Sequence, residues 1–422
     1  GYYTVDSHTK RFIDHNLAAW SSYKSAAPDG VVLLDFFRPP QAHIPFSYFA
    51  NVLARKHKAC IKAFWSEPVY NRPALYRVYE SFNTVANLCP DFDRQRLTAA
   101  ERDYRSTINS ISSKKQLFDL VVDGVWIGID IYETYLRLFG QPTVNLDDPR
   151  LKATVYNGIA VLRYWEDYFS ANKIAGVVAS HDNYVNPNIL NKVAYKNNVP
   201  VYLPNIRSIH YADREFSVYM PLFRNYRKMF QAMSKEEQEA GIELGRKQLT
   251  ARLDGKVGVD MSYSTKSAYA PDPGGTRVLR ESANIKVLIC SHCFYDNPHG
   301  YGGMFFTDFY EWLCFLGEVS RKTNYDWYIK MHPDALPGTE ETIRGILARY
   351  PRIQMIPQET SQHQLVRDGL NFVLTVYGSV GHEVPLLGVQ VVNGGYNPRV
   401  AYDFNWHPRS REEYESMLRN LG

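Results

Sequence analysis

The second half of the chain alternates short apolar runs with amphipathic segments. From Ile285 onward, five runs have the length and composition of buried strands, and segments with helical spacing at 304–323 and 340–350 follow the first two. The predicted strands are KVLIC (286–290), DWYIKM (326–331), RIQMI (352–356), NFVLTV (371–376) and VQVVN (389–393). Repeated strand–helix–strand units predict a doubly wound α/β domain, with a parallel sheet and helices on both faces.

The first half shows the same alternation with more interruptions. Apolar runs predict strands at 30–37, 59–65, 174–180 and 199–203, with helices near 46–57 and 188–198. A charged segment at 217–253 has helical spacing, whereas 118–140 mixes apolar and polar residues without a clear period. A second doubly wound domain is the expected result.

Residues 254–284 separate the two patterns. They are rich in Gly, Pro, Ser and Asp and lack periodicity, which is typical of a linker. We therefore expect one Rossmann-like domain at 1–280, including this linker, and a second at 281–422. Ligands of open α/β sheets bind beyond the carboxyl ends of the strands, so we expect a cleft that faces those ends in both domains.

Composition excludes several classes of protein. With 45% hydrophobic and 22% charged residues, the chain is expected to be soluble and globular. Its 48 basic and 44 acidic residues give a net charge of +4, too balanced for a dedicated nucleic-acid binder. The sequence has neither a run of about 18 apolar residues nor a recognisable export signal. A cytoplasmic location is expected, with all five cysteines, including Cys89, as reduced thiols.

Polar residues follow the predicted strands of the second half, where a ligand is expected to bind. They could bind anions or transfer protons, although polar residues are also common in ordinary loops. The polar candidates are Ser291, His292, Asp296, His299, His332, Ser379 and Glu383, and their neighbours Pro333, Gly378 and Val380 are candidates through the loops that they form.

Two of these segments have features suited to phosphate. In YGSVGHE (377–383), small residues open a predicted helix, so backbone N–H groups and the Ser379 hydroxyl could bind a phosphate, and Glu383 could accept from a ribose hydroxyl. In KMHPD, Pro333 stiffens the loop that presents His332, which could donate to a phosphate oxygen. The alternatives are a helix turn capped by Ser379 and a hydrogen-bonded histidine at a strand end.

The CSHC segment, Cys290 to Cys293, could also indicate redox or zinc chemistry. Redox work would place the second cysteine near a helix start, but about ten residues separate Cys293 from the predicted helix. Zinc would need two more ligands, and the sequence lacks a second CxxC or HxxxH pair. We favour a loop that reaches across the cleft to substrate phosphates, and we expect no metal site.

In the first half, SHDNY (180–184) follows a predicted strand. Asp182, with His181 and Tyr184 beside it, is placed to act as a general base or nucleophile. The alternative is an Asx-type cap for the helix that follows.

The series HCFYDNPHGYG, YIKMHP and LTVYGSVGHE, followed by LLGVQVVN, resembles bacterial capsule and lipopolysaccharide glycosyltransferases of the GT-B type. These include transferases that use CMP-activated sugars such as Kdo. The His-Pro dipeptide and the later Ser-containing turn are also found in bacterial sialyltransferases and polyol-phosphate polymerases. The resemblance covers about 285–395 and extends to GVWIGIDIYETYLR and SHDNY in the first half.

The resemblance implies roles for particular residues. His332 would contact the donor phosphate, Ser379 would help to bind it, and Glu383 would lie near the ribose or base. The Ser-Ser or Ser-Thr pair common at the phosphate turn is replaced here by Ser379-Val380. In the first half, the rival carboxylates to Asp182 are Asp130 and Glu133, and an anionic acceptor could bind Arg137 with His181.

The resemblance thus implies a metal-independent glycosyltransferase of surface-polysaccharide assembly. It would move Kdo or a related acidic sugar from a CMP-linked donor to a glycan or lipid-linked oligosaccharide, without a cofactor. Peripheral association with the inner face of the cytoplasmic membrane fits this role. The alternatives are a polyol-phosphate transferase that uses a CDP-linked donor and a sugar- or nucleotide-binding module without turnover.

Overall fold

The computed structural model describes residues 5–23, 27–65, 73–88, 94–205, 208–212, 220–259, 264–271 and 274–422. The chain forms two compact units. Unit 1 is Gly1–Leu138 with Val144–Val218, and unit 2 is Phe139–Thr143 with Tyr219–Gly422. The main division therefore lies near residue 218 rather than at the predicted residue 280. Cys89 lies outside the described residues.

Unit 1 contains a six-stranded sheet in its described part, with the order β3-β2-β1-β6-β7-β8. All neighbouring strands are parallel except β7 and β8, which are antiparallel, and β4 and β5 form a separate hairpin. The strands are β1 (Val31–Asp35), β2 (Cys60–Phe64), β3 (Thr84–Leu88), β4 (Val121–Val122), β5 (Val125–Trp126), β6 (Ile174–Val178), β7 (Val201–Pro204) and β8 (Ile209–Ala212).

The helices of unit 1 cover this sheet and connect its parallel strands. They are α1 (Ser7–Trp20), α2 (Pro40–His57), α3 (Pro73–Ser81), α4 (Arg94–Ile108), α5 (Lys114–Phe118), α6 (Gly128–Phe139), α7 (Pro149–Ala171) and α8 (Ile189–Lys196). A 3-10 turn at Ser21–Tyr23 follows α1, and a π-helical turn at Tyr184–Asn188 leads into α8. The segment 118–140, which had no clear period, is the β4–β5 hairpin followed by α6.

Unit 2 contains a second six-stranded sheet, and all of its strand pairs are parallel. The order is β11-β10-β9-β12-β13-β14. The strands are β9 (Lys286–Cys290), β10 (Asp326–Lys330), β11 (Ile353–Met355), β12 (Phe372–Thr375), β13 (Gln390–Asn393) and β14 (Asn405–Trp406). The five predicted strands are confirmed as β9 to β13.

Core clusters cover both faces of this sheet. The helices of unit 2 in its described part are α9 (Met220–Ala232), α10 (Lys235–Leu253), α11 (Phe309–Arg321), α12 (Thr339–Leu347), α13 (Gln362–Arg367), α14 (Val380–Glu383) and α15 (Arg411–Arg419). Residues of α11 and α12 belong to one cluster and residues of α13 to the other. A 3-10 turn at Val384–Leu387 continues α14. None of the helices in the described part of the chain has the length and hydropathy that crossing a bilayer requires.

Capping residues explain two differences from the predicted helices. Asp308 accepts a hydrogen bond from the Glu311 N–H at 2.8 Å, so α11 begins at Phe309 and not at the predicted residue 304. The predicted helix over 217–253 is two helices, because Ser234 and Glu237 form a reciprocal capping box that starts α10.

The burial of both faces explains why the middle of β9 is a continuous apolar run. Along β9, Val287 and Ile289 pack into one cluster with Trp312 and Trp327, whereas Leu288 packs with Tyr328 into a cluster on the opposite face. Truncating Leu288 to Ala would cost about 2–5 kcal/mol, because the sheet and helices could not close around the cavity.

The predicted linker is not a linker in its described part. Leu279 is buried in a core cluster of unit 2, and Asp368 accepts hydrogen bonds from the backbone of Val278 at 2.7 Å and Leu279 at 3.2 Å. Closer to its start, Thr265 bonds Asp334 and the Ala268 carbonyl accepts from Gln362. Composition predicted a flexible segment, but a few apolar anchors and backbone hydrogen bonds attach it to unit 2.

The strand orders locate the sites at which each unit could bind a ligand. From β1 and from β9, successive strands are added first on one side of the sheet and then on the other. The topological switch points therefore lie between β1 and β6 in unit 1 and between β9 and β12 in unit 2. Ligands of doubly wound sheets bind outside the carboxyl ends of the strands at such switch points. Each unit therefore has the architecture of the Rossmann-like domains that were predicted, while a cleft formed by both remains a prediction.

Candidate functional site

A cavity of about 290 Å3 lies at the carboxyl ends of β9, β10 and β12, at the switch point of unit 2. This volume is close to the lower end of the roughly 300–1,000 Å3 typical of small-ligand sites. Every residue predicted to bind nucleotide lines it. These residues are Ser291, His292, His332, Pro333, Gly378, Ser379, Val380 and Glu383.

His332 is exposed at the cavity, directly after β10 and Met331. Its Nδ1 accepts a hydrogen bond from the backbone N–H of Asp334 at 3.0 Å, so the proton of the neutral ring lies on Nε2. Partial removal of the ring from solvent lowers the pKa of His332. The charge of Asp334 opposes this shift, and the charge of Arg252 adds to it. His332 is therefore neutral at physiological pH. Its Nε2–H can donate a hydrogen bond to a phosphate oxygen.

The loop that carries His332 is also fixed from a neighbouring segment. Gln358 donates from Nε2 to the carbonyl oxygens of His332 at 2.6 Å and Pro333 at 2.9 Å. The His-Pro dipeptide is thus held by its backbone, and the imidazole is presented with one defined tautomer.

His292 is directed into unit 2 itself. Its Nε2 accepts from the Val376 backbone N–H at 3.0 Å and lies 2.9 Å from Thr375 Oγ1, and its ring stacks on Phe309 at 4.4 Å. Burial lowers the pKa of His292 to about 3, and the charges of His332 and Arg399 act in the same direction. This histidine joins the ends of β9 and β12, which differs from the expected role of reaching across a cleft.

Glu383 lies against the cavity with both carboxylate oxygens bonded within unit 2. Arg252 Nε donates to Oε1 at 2.6 Å, and the Tyr269 hydroxyl donates to Oε2 at 2.7 Å. Burial opposes ionisation, but the Arg252 guanidinium and these hydrogen bonds hold the pKa of Glu383 below its usual value. The second Arg252 nitrogen, Nη2, lies 3.5 Å from Ser379 Oγ. Glu383 is therefore placed to orient Arg252, while a contact with ribose remains a prediction.

The helix predicted after Ser379 is present as α14. α14 has a single turn, and Ser379 makes no side-chain cap hydrogen bond to it. Thr375 Oγ1 instead accepts from the Gly378 N–H at 3.1 Å and fixes the turn. A side chain at Gly378 would have its Cβ 2.8 Å from Thr375 Oγ1, so glycine is needed for this close approach.

Lys330 supplies a buried positive charge at the cavity. It is the last residue of β10, opposite Cys290 on β9, and only 3% of its surface is exposed. No residue in the described part of the chain bonds its ammonium group, and burial lowers its pKa. A buried ammonium without a partner is costly, and an anionic ligand would remove that cost.

Two further buried polar atoms point to a ligand. Ser291 Oγ and Gln362 Oε1 both belong to residues that line the cavity, and neither has a hydrogen-bond partner among the described residues. Ser291 is 7% exposed and Gln362 is 3% exposed. Such atoms each cost about 1–3 kcal/mol when unsatisfied, so the ligand-free cavity is polar and incomplete.

Positive charge exceeds negative charge around this cavity. Arg252, Lys266, Lys330 and Arg399 line it, against the carboxylates Asp334 and Glu383. Arg399 is oriented by its own contacts: it donates to the Tyr377 carbonyl at 2.6 Å and to His382 Nδ1 at 2.6 Å. The geometry and charge suit a polar anion such as a nucleotide phosphate.

Cys290 and Cys293 are both free thiols. Burial raises the pKa of Cys290 to about 11, so its sulfur is a thiol and not a nucleophilic thiolate near neutral pH. Within the ranges that the structure describes, no three His, Cys, Asp or Glu side chains are grouped as a metal ion would require.

Asp296 and His299 do not join the cavity-lining residues. Asp296 is exposed, whereas His299 is buried at 8% exposure. Their predicted contact with the donor sugar or acceptor stays a prediction.

In unit 1, the rival carboxylates lie in the interior. Asp130 accepts from Asn188 Nδ2 and from Lys192 Nζ, both at 2.7 Å, and it is 1% exposed. Burial raises its pKa to about 6, although Lys192 and Asn188 oppose the shift. Glu133 is also buried, at 2% exposure. Asp130 fastens the π-helical turn to α6, which favours a structural role.

Arg137, predicted to bind an anionic acceptor, is exposed on α6. It lies on the same helix as the buried Asp130 and Glu133. Its predicted role has no further support from the geometry of unit 1.

The SHDNY residues lie at the switch point of unit 1. His181 and Asp182 follow β6 and are half-buried, and Tyr184 begins the π-helical turn with a φ of 65°. Ser180 Oγ lies 2.7 Å from His181 Nδ1 and also contacts Asp35 Oδ2. The structure thus places Asp35, at the end of β1, beside the predicted catalytic segment.

Sequence reasoning missed Lys330, Arg252, Arg399, Gln362 and Asp35. Lys330 and Asp35 had a usable signal, since each is a charged residue at the end of an otherwise apolar parallel strand. Arg252 and Arg399 lie far along the chain from the motifs, and only the tertiary structure brings them to the cavity.

Comparisons with known proteins found similarity only at the level of solved structures. No protein-family model and no curated protein matches the chain. The chain is similar to KpsC of Thermosulfurimonas dismutans, a beta Kdo 2,4 transferase, with 15% identity and a TM-score of 0.35 over 58% of this chain and 79% of that one. It is also similar to residues 113–497, the GT-B domain, of a sialyltransferase from Photobacterium damselae, with 11% identity and a TM-score of 0.18 over 93% of this chain and 97% of that one. Similarities at this level do not assign a substrate or a reaction to the chain.

Proposed function

We propose that this protein is a glycosyltransferase that binds a nucleotide sugar in the cavity of unit 2. The observation that carries the proposal is the buried Lys330 ammonium, which no described residue bonds, at the carboxyl edge of the unit 2 sheet. A phosphate group at this position would pair with that charge and accept a hydrogen bond from Nε2–H of His332. Arg399 lines the same cavity and adds a second cation.

The same cavity offers polar atoms for the rest of a nucleotide. Ser291 Oγ can donate or accept, and Gln362 Oε1 can accept from a hydroxyl or an amine. A nucleoside would thus satisfy the buried polar atoms that the protein itself leaves without partners. Glu383 and Tyr269 would act indirectly, by holding Arg252 against this site.

The donor that we propose is CMP-linked, and the sugar is Kdo or a related acidic sugar. The supporting observation is the motif series of the second half, whose nucleotide-binding positions all line one cavity. The acceptor would be a glycan or lipid-linked oligosaccharide of a bacterial capsule or lipopolysaccharide. This chemistry fits a cytoplasmic enzyme that works at the inner face of the membrane.

In the reaction, an acceptor hydroxyl oxygen bonds to the anomeric carbon while the bond from that carbon to the phosphate oxygen breaks. CMP leaves with the electron pair of the broken bond, and His332 with the nearby cations stabilises its negative charge. We assign Asp182 and His181 to the acceptor side in unit 1. One of the two takes the hydroxyl proton as the base, or Asp182 is a nucleophile that forms a covalent glycosyl intermediate.

Product analysis tests this function. Purified protein would be incubated with CMP-Kdo and a capsule or lipopolysaccharide oligosaccharide, and CMP release and product mass would be followed. We expect CMP together with a glycoside that contains no new phosphorus, and loss of both products in His332→Ala but not in His57→Ala, which replaces an exposed histidine at the end of α2. A phosphodiester product from a CDP-linked polyol would instead identify a polyol-phosphate transferase. Nucleotide binding without release would identify a binding module.

A further inference from the structure

The switch point of unit 1 contains a buried carboxylate for which the proposed chemistry has no role so far. Asp35 is the last residue of β1 and is 2% exposed. Its backbone is fixed by the Tyr79 hydroxyl, which donates to the Asp35 carbonyl at 2.7 Å and accepts from the Phe37 N–H at 2.8 Å. A charged side chain is unusual in the core of a parallel sheet and costs free energy there.

Ser180 connects this carboxylate to the adjacent strand. β1 and β6 are neighbours with Leu34 opposite Val178, so Asp35 and Ser180 reach the same edge of the sheet. The Ser180 backbone N–H donates to Asp35 Oδ2 at 3.2 Å, and its hydroxyl contacts the same oxygen. Two hydrogen bonds from one residue therefore converge on one carboxylate oxygen.

The next residue extends the chain of hydrogen bonds to an imidazole. His181 Nδ1 lies 2.7 Å from Ser180 Oγ. An ionised Asp35 can only accept, so the Ser180 hydroxyl donates its proton to Asp35, and its oxygen must then accept from the Nδ1–H of His181. The unprotonated nitrogen of the ring is thereby Nε2.

Two further contacts hold the ring and the backbone of His181. Phe37 packs against the imidazole edge-to-face, with ring centroids 4.9 Å apart, and Asn191 donates to the His181 carbonyl at 2.8 Å. Ser180 is not an activated nucleophile in this arrangement, because its proton is directed to Asp35 and not to the histidine.

We propose that Asp35, acting through Ser180, is a positioning residue that fixes His181 as the Nδ1–H tautomer, so that Nε2 of His181 takes the proton of the attacking hydroxyl. The tautomer depends only on the geometry of unit 1, whereas the identity of the hydroxyl rests on the proposed glycosyltransferase function. In the step itself, the acceptor O–H bond breaks and its proton moves to His181 Nε2 while the oxygen bonds to the anomeric carbon. CMP leaves with the electron pair of the bond between the anomeric carbon and its phosphate oxygen. Asp182 is then left to bind or orient the acceptor.

Burial raises the pKa of Asp35 to about 6, against the lowering effect of the Ser180 hydrogen bonds. The carboxylate is therefore ionised at pH 8, where the relay should be fully formed. Measurements of the tautomer belong at that pH.

The nitrogen-15 NMR spectrum of the full chain, labelled at histidine, tests the proposal without any substrate. The His181 signals would be assigned by their absence in His181→Gln. We expect the wild-type spectrum at pH 8 to show a protonated Nδ1 and an unprotonated Nε2 for His181. In Asp35→Asn, the introduced amide can donate to Ser180, whose hydroxyl then donates to Nδ1 and moves the ring proton to Nε2.

Two further variants sharpen the result. Asp182→Asn removes the neighbouring carboxylate but leaves the relay, so the His181 tautomer should not change. Ser180→Ala removes the relay, and the ring should lose its preference for the Nδ1–H form. Thermal melting establishes that each variant is folded before its spectrum is compared.

Turnover gives a second readout of a positioning role. With CMP-Kdo and an oligosaccharide acceptor, Asp35→Asn should lower kcat by about 100-fold, the usual size of a general-base contribution, with KM changed less than threefold. A wild-type ring protonated on Nε2, or a tautomer that does not respond to Asp35→Asn, would overturn the proposal. If the protein does not turn over CMP-sugars, the glycosyltransferase function fails, and the NMR comparison still decides the Asp35 relay.

Discussion

Arg252 donates from Nε to Glu383 Oε1 across 2.6 Å, and the two residues are 131 positions apart in the chain. The side chains are 11% and 2% exposed, so this is a buried ion pair. It attaches the end of α10 to the helix that follows β12, and Tyr269 adds a second bond to the same carboxylate. The segment expected to link two domains also forms part of the wall of the cavity in unit 2, through Ser264, Lys266 and Ala268.

Removing Arg252 should destabilise unit 2. In Arg252→Ala, the Glu383 carboxylate stays buried with only the Tyr269 hydroxyl as a partner, which should cost about 3–5 kcal/mol of unfolding free energy at pH 7. Because a protonated carboxyl is cheaper to bury, the cost should shrink as the pH falls. Urea denaturation at several pH values measures both effects.

Arg246 provides the matched control, since it pairs with Glu243 on the same helix with both side chains exposed. Arg246→Ala should change stability by less than about 1 kcal/mol. Equal costs for the two arginine variants would show that burial of the Arg252–Glu383 pair is not what stabilises this wall.

Lys330→Met should have opposite effects on stability and on binding. Removal of a buried ammonium that no described residue bonds should raise the melting temperature of the ligand-free protein. Loss of a charge-assisted hydrogen bond worth about 1.5–3 kcal/mol should weaken CMP binding by roughly 10–100-fold. Thermal melting and isothermal titration calorimetry measure the two changes on the same sample.

Lys266→Met serves as the comparison, because Lys266 lines the same cavity but is exposed. Its effect on CMP affinity should be smaller than that of Lys330→Met, and its effect on ligand-free stability should be near zero. CMP affinity unchanged in Lys330→Met would exclude this lysine from the anion site.

Asp35 should make stability depend on pH between about 4 and 6. Burial raises its pKa from 3.8 to about 6, so the folded state binds a proton more tightly than the unfolded state. The resulting stabilisation is complete below pH 3.8 and is lost as the pH rises through 6, by at most about 3 kcal/mol. The unfolding free energy of the wild type minus that of Asp35→Asn should therefore fall as the pH rises from about 4 to 6.

Asp130 requires a parallel measurement, because burial also raises its pKa to about 6. Asp130→Asn should remove a separate part of the same pH dependence and leave the part due to Asp35. A wild-type minus Asp35→Asn difference that is flat from pH 4 to 7 would mean that Asp35 titrates normally in the folded protein.

The sequence predicted the sheets better than the boundary between the units. Strands buried on both faces, such as β9 and β12, are short apolar runs bounded by polar residues, and this pattern depends little on the rest of the fold. The attachment of 264–271 and 274–284 to unit 2 could not be predicted in this way. It depends on a few distant partners, such as Asp368 for Leu279 and Glu383 for Tyr269, that leave no periodic signal.

The site residues that directly follow strands were predicted from the sequence. Those that lie within a strand, or far along the chain from the motifs, were missed. His332 and Ser379 were found because the ends of parallel strands meet at one edge of a sheet. Lys330 and Asp35 were treated as strand interior, although a charge in an apolar run is itself a sign of a binding site or a buried relay. The inward direction of His292 could not be foreseen, because Phe309 and the Val376 backbone impose it.

Nucleotide binding by the intact chain is the most direct test of the proposed donor site. Melting curves would be recorded with CMP, CDP, UDP, GDP and ADP, each with and without Mg2+. A nucleotide at a hundred times its Kd adds about 2.7 kcal/mol of stability, enough to displace the curve. We expect CMP to raise the Tm most, independently of Mg2+, with the stabilisation reduced to about half or less in Lys330→Met and also reduced in His332→Ala. The absence of a shift with every nucleotide, or a shift of undiminished size in Lys330→Met, would contradict a nucleotide site in the cavity of unit 2.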